Sequence, residues 1–355
     1  MTVDHRFDAA MERALELALL GPAHGVNPQV GAVILDAALN IISEGWHLGS
    51  GTPHAEVAAL AKLNLAQLPG GKLPAGATAV VTLEPCNHFG KTGPCAQALI
   101  AAGVSRVVYA SSDPGDQSSG GAVTLRAAGV EVIGGVMKER ADHQNRVWLT
   151  ATKQGRPFVT LKWATSLDGR AAATDGTSQW ISGPEGRADS HRRRAEVDAI
   201  LVGTGTVLAD DPTLTARKPD GSLYEHQPLR VVLGEREIPK TAKVFNSDAA
   251  TVVLATRDLN QALLQLKDLG VKHVWVEGGP QVASRFVAAG LVNEFVIYQA
   301  PMLLGGDRTA LTDIGVASMP QAKHLQINSV EQLGQDLLII AAPATPAAKP
   351  ENGIN

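Results

Sequence analysis

Three side chains able to bind a metal sit in two short clusters, well apart along the chain. His54 lies in Thr52-Pro53-His54-Ala55-Glu56, while Cys86 and Cys95 lie downstream. These are the only two cysteines among 355 residues. For one ion to touch all three side chains, separate segments must return to a single point. That demand restricts the fold more than any figure of composition does.

The pattern begins like the H-x-E … P-C-x-x-C signature of zinc-dependent base deaminases, with Pro85 preceding Cys86. It departs in its spacer, because eight residues (Asn87-His88-Phe89-Gly90-Lys91-Thr92-Gly93-Pro94) separate the sulfurs. A catalytic zinc keeps three protein ligands and one open position; His54, Cys86 and Cys95 are the expected ligands. Two thiolates cancel the charge of Zn²⁺, so its water is less acidified than on three histidines and needs a base beside it. Glu56 is the expected base, shuttling a proton to departing ammonia. Inert buried thiols, or a structural zinc completed by His88 or Glu84, are the alternatives. A disulfide is not expected, since sparse cysteines in an intracellular chain usually serve metals or catalysis.

Strand-like and helix-like segments alternate through the first half. Strands are expected at Gly31–Leu35, Thr78–Leu83, Arg106–Ala110 and Val130–Ile133, and helices at His54–Ala66, Ala96–Ala102 and Thr124–Ala128. This alternation predicts a sheet covered by helices on both faces. His54 and Glu56 fall in a first helical turn and Cys95 opens another helix, where the dipole favours thiolate. An amphipathic helix is expected near the start, with Phe7, Met11, Leu15 and Leu19 on one stripe. The polar stretch Lys153-Gln154-Gly155-Arg156-Pro157 predicts a domain junction. New strands follow at Phe158–Trp163, Ala199–Val202, Leu229–Leu233, Thr251–Ala255, His273–Val276 and Glu294–Gln299. Residues 342–355, rich in Ala and Pro, are expected to be disordered.

The second half carries two glycine turns after strands, Val202-Gly203-Thr204-Gly205 and Glu277-Gly278-Gly279-Pro280, able to cradle phosphates. Neither fits G-x-G-x-x-G, so an ordinary dinucleotide fingerprint is not supported. Arg187, His191, Arg192, Arg193 and Arg194 form a basic cluster that is either a solvated helix face or a phosphate grip. Net charge is −4 with a pI near 6.2, which argues against a nucleic-acid surface. No apolar run spans a bilayer and no signal peptide is evident, so a cytoplasmic protein without membrane or nucleic-acid partners is expected.

Residues 24–100 resemble the deaminase half of the bifunctional riboflavin-biosynthesis deaminase–reductases. The shared stretches are Asn27-Pro28-Gln29-Val30-Gly31, Thr52 to Val57, Thr82-Leu83-Glu84-Pro85-Cys86 and Gly93-Pro94-Cys95. In that family the long spacer is the rule. The resemblance implies that Asn27 and His47 shape a pyrimidine pocket and that Lys91 contacts substrate. The chain departs at Gly115, where the family has asparagine. The second half resembles the family's reductase through Leu161–Gly169, Ser178–Ser182, Gly205–Pro212 and Val276–Pro280. This implies a dihydrofolate-reductase-like fold with Ala164, Trp180, Thr206, Asp210 and Gly279 on NADPH. Ser178, Arg194, Leu214, Arg217 and Glu277 fall on substrate. Gly234-Glu235 departs from the family's usual Asp and small polar residue.

The expected chain is α/β throughout. A three-layer α/β/α cytidine-deaminase-like domain (residues 1–150) precedes a dihydrofolate-reductase-like α/β domain (156–341). By the resemblance, the first hydrolyses an amino group from 2,5-diamino-6-(5-phosphoribosylamino)pyrimidin-4(3H)-one using Zn²⁺. The second reduces the resulting phosphoribosylaminouracil with NADPH. There the cofactor carries the hard step, and either Lys162 or Glu277 steers the proton. The substrate is a small phosphorylated pyrimidine, and a homo-oligomer is expected. The rival readings are a cytidine- or guanine-type deaminase whose second domain only binds ligand, and a non-enzyme whose second domain senses nucleotides.

Overall fold

Runs of β-branched and aliphatic residues become the strands, since such side chains fit a pleated surface buried on both faces. The computed structural model describes residues 5–89 and 93–344. Internal contacts divide the chain into two units: Met1–Pro157 with Lys267–Lys272, and Phe158–Leu266 with His273–Asn355.

The first unit runs α1 (Asp8–Ala18), β1 (Gly31–Leu35), β2 (Ile41–Trp46), α2 (Ala55–Lys62), β3 (Thr78–Leu83) and α3 (Cys95–Ala101). Then come β4 (Arg106–Ser111), α4 (Gly121–Ala127), β5 (Glu131–Gly134), α5 (Lys138–Gln144) and α6 (Arg146–Gln154). Its strands form one sheet in the order β2-β1-β3-β4-β5. β1 is antiparallel to β2 and β3, whereas β3, β4 and β5 are parallel. Alternate residues serve opposite faces. Val33, Leu35, Val80 and Val108 pack with Phe7, Met11 and Leu15, while Ile34, Val81 and Val107 pack with Ala59, Leu99 and Leu125. The sheet is therefore the middle of three layers. Two glycines set how closely the helices approach. A Cβ on Gly31 would stand 2.0 Å from the Ala14 carbonyl oxygen, and one on Gly45 2.3 Å from that of Ala55.

Three local expectations need correction. α2 stops at Lys62 instead of Ala66, because Leu63 is already extended. Leu19 lies past the end of α1 and is 60% exposed, so it leaves the apolar stripe. Lys153 and Gln154 are helical, and the junction is only Gly155-Arg156-Pro157, with Gly155 at φ 66 closing α6, as glycine beyond a helix end usually does.

The second unit runs β6 (Phe158–Ser166), α7 (Pro184–Arg194), β7 (Ala199–Gly203), α8 (Thr204–Asp210), β8 (Leu229–Leu233) and β9 (Thr251–Leu254). It continues with α9 (Leu259–Asp268), β10 (His273–Val276), α10 (Pro280–Ala288), β11 (Glu294–Ala300), β12 (Leu325–Leu333) and β13 (Asp336–Pro343). The sheet order is β12-β13-β11-β6-β10-β7-β8-β9. From β11 to β9 all neighbours are parallel, and β13 and β12 add an antiparallel edge. The register aligns Leu161, Val276 and Leu201, then Gly203, Leu233 and Leu254, so the strands end at one common edge. Ala342 and Pro343, expected in the tail, belong to β13; residues 345–355 lie outside the described residues. Among the described residues no helix is long and apolar enough to cross a membrane.

Candidate functional site

His54 immediately precedes α2, and Cys95 is the first residue of α3. Cys86 follows the end of β3, whose buried Leu83 fixes the chain just before it. The fold thus brings the two sequence clusters to one point. Nδ1 of His54 is 3.2 Å from Sγ of Cys95 and 3.5 Å from Sγ of Cys86. The three donor atoms all lie within 4.8 Å of one another. A hydrogen bond with the Cys95 thiol, aided by His54 and the Cys95 backbone N–H, holds Cys86 well below the ordinary thiol range. Cys95, the proton donor in that pair and deeply buried, is pushed far up. Two sulfurs thus face one imidazole. Such a compact nitrogen–sulfur set suits zinc. Glu84 does not join the group, because the N–H groups of Ala122 (3.0 Å) and Asp113 (3.4 Å) occupy its carboxylate.

Glu56, in the first turn of α2, is 3% exposed. Burial raises its carboxyl above the usual range, Cys86 adds to the rise, and His54 opposes it. It lines a cavity of about 730 Å³ together with Asn27, His47, His54, Cys86 and His88. Burial pulls His47 below the ordinary histidine range. Its neutral ring donates from Nδ1 to the Pro53 carbonyl (3.1 Å) and accepts at Nε2 from Asn27 Nδ2 (2.8 Å). His88, a spare-ligand candidate by sequence, is a lining residue whose Nδ1 has no hydrogen-bond partner among the described residues. At Gly115 the room for a side chain is taken, since a Cβ there would stand 2.2 Å from Ser118 Oγ. Lys91 lies outside the described residues.

The second unit holds a cavity of about 1000 Å³ along the common strand edge. Ala164, Trp180, Thr206, Asp210, Gly279, Lys162, Ser178, Arg194 and Glu277 all line it. Leu214 and Arg217 do not. Leu214 is buried in the core at a left-handed φ of 51, and Arg217 donates to Thr213 Oγ1 at 3.0 Å. At the cavity floor Arg194 grips Glu277 through two bonds, 2.7 and 2.5 Å, and the Trp275 indole N–H adds a third at 2.5 Å. Burial alone would raise Glu277, but Arg194 and Lys162 outweigh it and hold the carboxyl well below its usual range. Burial lowers Lys162 from the ordinary lysine range, with Glu277 opposing and Arg194 adding. The basic cluster on α7 therefore divides. Arg192 and Arg193 pair with Asp189, and only Arg194 of these three turns into the cavity.

One lining residue was passed over as part of that charge run. His191 lines the same cavity, and burial, reinforced by Arg194 and Arg217, lowers it to about 4. Its Nδ1 is 3.1 Å from the Thr215 carbonyl and accepts from the Arg217 N–H at 3.3 Å. The helical period placing it one turn from Arg187 and Arg194 was the available signal.

Comparison with known proteins agrees with this geometry. Residues 5–111 match the family model described as the cytidine and deoxycytidylate deaminase zinc-binding region, and residues 157–339 match the RibD C-terminal domain. The riboflavin biosynthesis protein RibD of Mycobacterium tuberculosis is 51% identical over 313 residues, covering 88% of this chain and 90% of that protein. The Escherichia coli RibD is 37% identical, covering 93% and 97%. A solved structure of Acinetobacter baumannii RibD superposes with TM-score 0.85 at 36% identity, covering 95% of this chain and 99% of that one. A Thermotoga maritima deaminase/reductase structure gives TM-score 0.82 at 33% identity, covering 96% and 99%. A cytidine-deaminase-like unit with a His/Cys/Cys zinc centre thus precedes a reductase unit that uses NADPH, and the chain belongs to the RibD family of bifunctional riboflavin-biosynthesis deaminase–reductases.

Proposed function

We propose that the first unit deaminates 2,5-diamino-6-(5-phosphoribosylamino)pyrimidin-4(3H)-one and that the second reduces 5-amino-6-(5-phosphoribosylamino)uracil. The observation that carries the reading is a buried carboxyl, Glu56, set against the three ligand atoms of His54, Cys86 and Cys95. His54, Cys86 and Cys95 would hold a zinc ion, which would supply an acidified water for hydrolysis. Glu56 would take a proton from the attacking water and return it to the leaving amine, its raised affinity for protons suiting both transfers. Asn27 and His47, already hydrogen-bonded to each other, present a fixed polar edge to the pyrimidine.

In the second unit Lys162 acts as the acid. Glu277 is held ionised by its neighbours and accepts hydrogen bonds, whereas Lys162 carries a proton that burial makes easier to release. A nicotinamide cofactor bound in this cavity would supply the hydride, while the protein supplies position and charge. Arg194 keeps Glu277 fixed, and Glu277 in turn faces Lys162 electrostatically. Thr206 Oγ1 accepts from the Gly279 N–H at 3.3 Å, tying the two glycine turns together. A cytoplasmic location and a homo-oligomer belong to the same proposal. Two free buried cysteines fit a reducing compartment. Exposed Leu325, Ile327 and Val330 on the edge strand β12 fit a surface that pairs with another copy.

Glu56→Ala tests the assignment. Zinc content stays at one ion per chain, ammonia release falls by about 10²–10⁴-fold, and reduction of pre-deaminated substrate is unchanged. Loss of both activities in this variant would overturn it.

A further inference from the structure

Lys162, the proposed acid of the second unit, is secured in an uncommon way. Among the described residues no hydrogen bond or ion pair holds its ammonium, and its partner is an aromatic face: Nζ lies 5.4 Å from the centroid of the Tyr298 ring. The strands dictate this contact. β6 and β11 are parallel, with Lys162 beside Val296 and Ala164 beside Tyr298. Side chains alternate across a sheet, so Lys162 and Tyr298 share one face and stand one pleat apart on neighbouring strands. A cation within about 6 Å of an aromatic centroid is attracted by the negative face of the ring, more strongly where water is excluded. Tyr298 is 1% exposed and does not itself line the cavity. Any effect it has on the reaction passes through Lys162.

The ring is fixed from behind by α7. Its hydroxyl donates to Asp189 Oδ2 at 2.8 Å, and Arg193 Nε donates to the same oxygen at 2.7 Å. Arg192 Nη2 donates to Asp189 Oδ1 at 2.6 Å. A Cβ on Gly186 would stand 3.4 Å from Cδ1 of Tyr298, so the helix backbone lies directly against the ring. Burial, with Asp189 adding, pushes the phenol far above its ordinary range, so the ring stays neutral and its hydroxyl stays a donor. The ammonium is surrounded from three sides. Burial eases loss of its proton, Glu277 after β10 opposes that loss, and Arg194 on α7 adds to it. Asp189 and Arg193 stand behind the ring on β11. Arg192 and Arg193, which turn away from the cavity, thus buttress it through one carboxylate and one aromatic ring.

Resting on the reading of Lys162 as the acid, we propose that Tyr298 is a positioning residue for reduction. Its ring, anchored through Asp189 to Arg192 and Arg193, holds the Lys162 ammonium in place and in its charged form. Single-turnover reduction of 5-amino-6-(5-phosphoribosylamino)uracil by the full zinc-loaded chain, followed across pH, tests this. The readout is the alkaline limb of the profile, where Lys162 loses its proton. Tyr298→Leu slows reduction by about 10–100-fold, the scale of a misplaced group, and moves that limb about one pH unit lower. Tyr298→Phe keeps the aromatic face and leaves the limb at its wild-type position. Because Tyr298→Leu opens a gap in the core, the ring of Tyr298→Phe is also fluorinated stepwise at nearly constant volume. Each fluorine drains the negative face, and the limb falls with each. A limb that stays put in Tyr298→Leu and through the fluorinated series would sink the proposal, as would an equal shift in Tyr298→Phe and Tyr298→Leu, while the Lys162 reading stands. A wild-type profile without an alkaline limb, or undiminished reduction by Lys162→Ala, would remove that reading and the proposal with it.

Discussion

The two cavities reach function by opposite routes. In the first unit, chemistry is concentrated in three ligand atoms and one carboxyl, all supplied by side chains within a few ångströms. In the second, the cofactor brings the reactive group and the protein spreads its contribution over glycine turns, a buried ion pair and a rim of arginines. Concentration makes a site fragile and easy to read, because metal chemistry tolerates few substitutes. Distribution makes a site tolerant and hard to read, because each contact is common elsewhere.

The largest expected effect breaks the concentrated site. Cys86→Ser removes a thiolate ligand, so metal analysis should show zinc lost and ammonia release abolished, while NADPH oxidation with pre-deaminated substrate persists. Next, Glu277→Gln attacks the one place where the second cavity is also concentrated. It leaves Arg194 and Lys162 without their counter-charge in a buried site, and breaking such a pair costs about 3–5 kcal/mol. Denaturant unfolding should register that loss together with a collapse of reduction. A smaller effect appears in pH dependence. Lys162 must be protonated to act as an acid, and burial lowers it. Reduction should therefore decline with rising pH below the ordinary lysine range, and the small residual reduction left in Lys162→Arg, whose guanidinium does not release a proton, should lack that alkaline limb. The smallest effect sharpens the contrast. Thr206→Val removes one bond between glycine turns, worth about 0.5–1.5 kcal/mol, so NADPH affinity should fall less than about 15-fold with kcat nearly kept.

Legibility followed the same divide. His54, Glu56, Cys86 and Cys95 were readable from residue type and spacing; the structure brings the three ligand side chains together and sets Glu56 in the cavity that His54 and Cys86 line. Strands β1, β3, β8 and β10 were readable because buried parallel or central strands are continuous apolar runs. The β12–β13 hairpin was not. β12 is an exposed edge whose mixed residues carry no buried face. Among α7's arginines, charge could not separate Arg194 from Arg192 and Arg193, because the difference lies in Glu277, far away in sequence. Leu214 was carried over by resemblance, yet its side chain faces the core instead of the cavity. The Gly115 departure acquires a physical counterpart only in three dimensions, where Ser118 fills the space.

Two of the ligands, His54 and Cys95, stand at the very start of helices α2 and α3. Fraying begins at helix ends, so the ion clamps the turns that would otherwise open first. Occupancy is then thermodynamically linked to folding of the first unit alone. A calorimetric scan in chelator should split into two transitions, with the earlier one retreating to higher temperature as zinc is restored and the later one standing still.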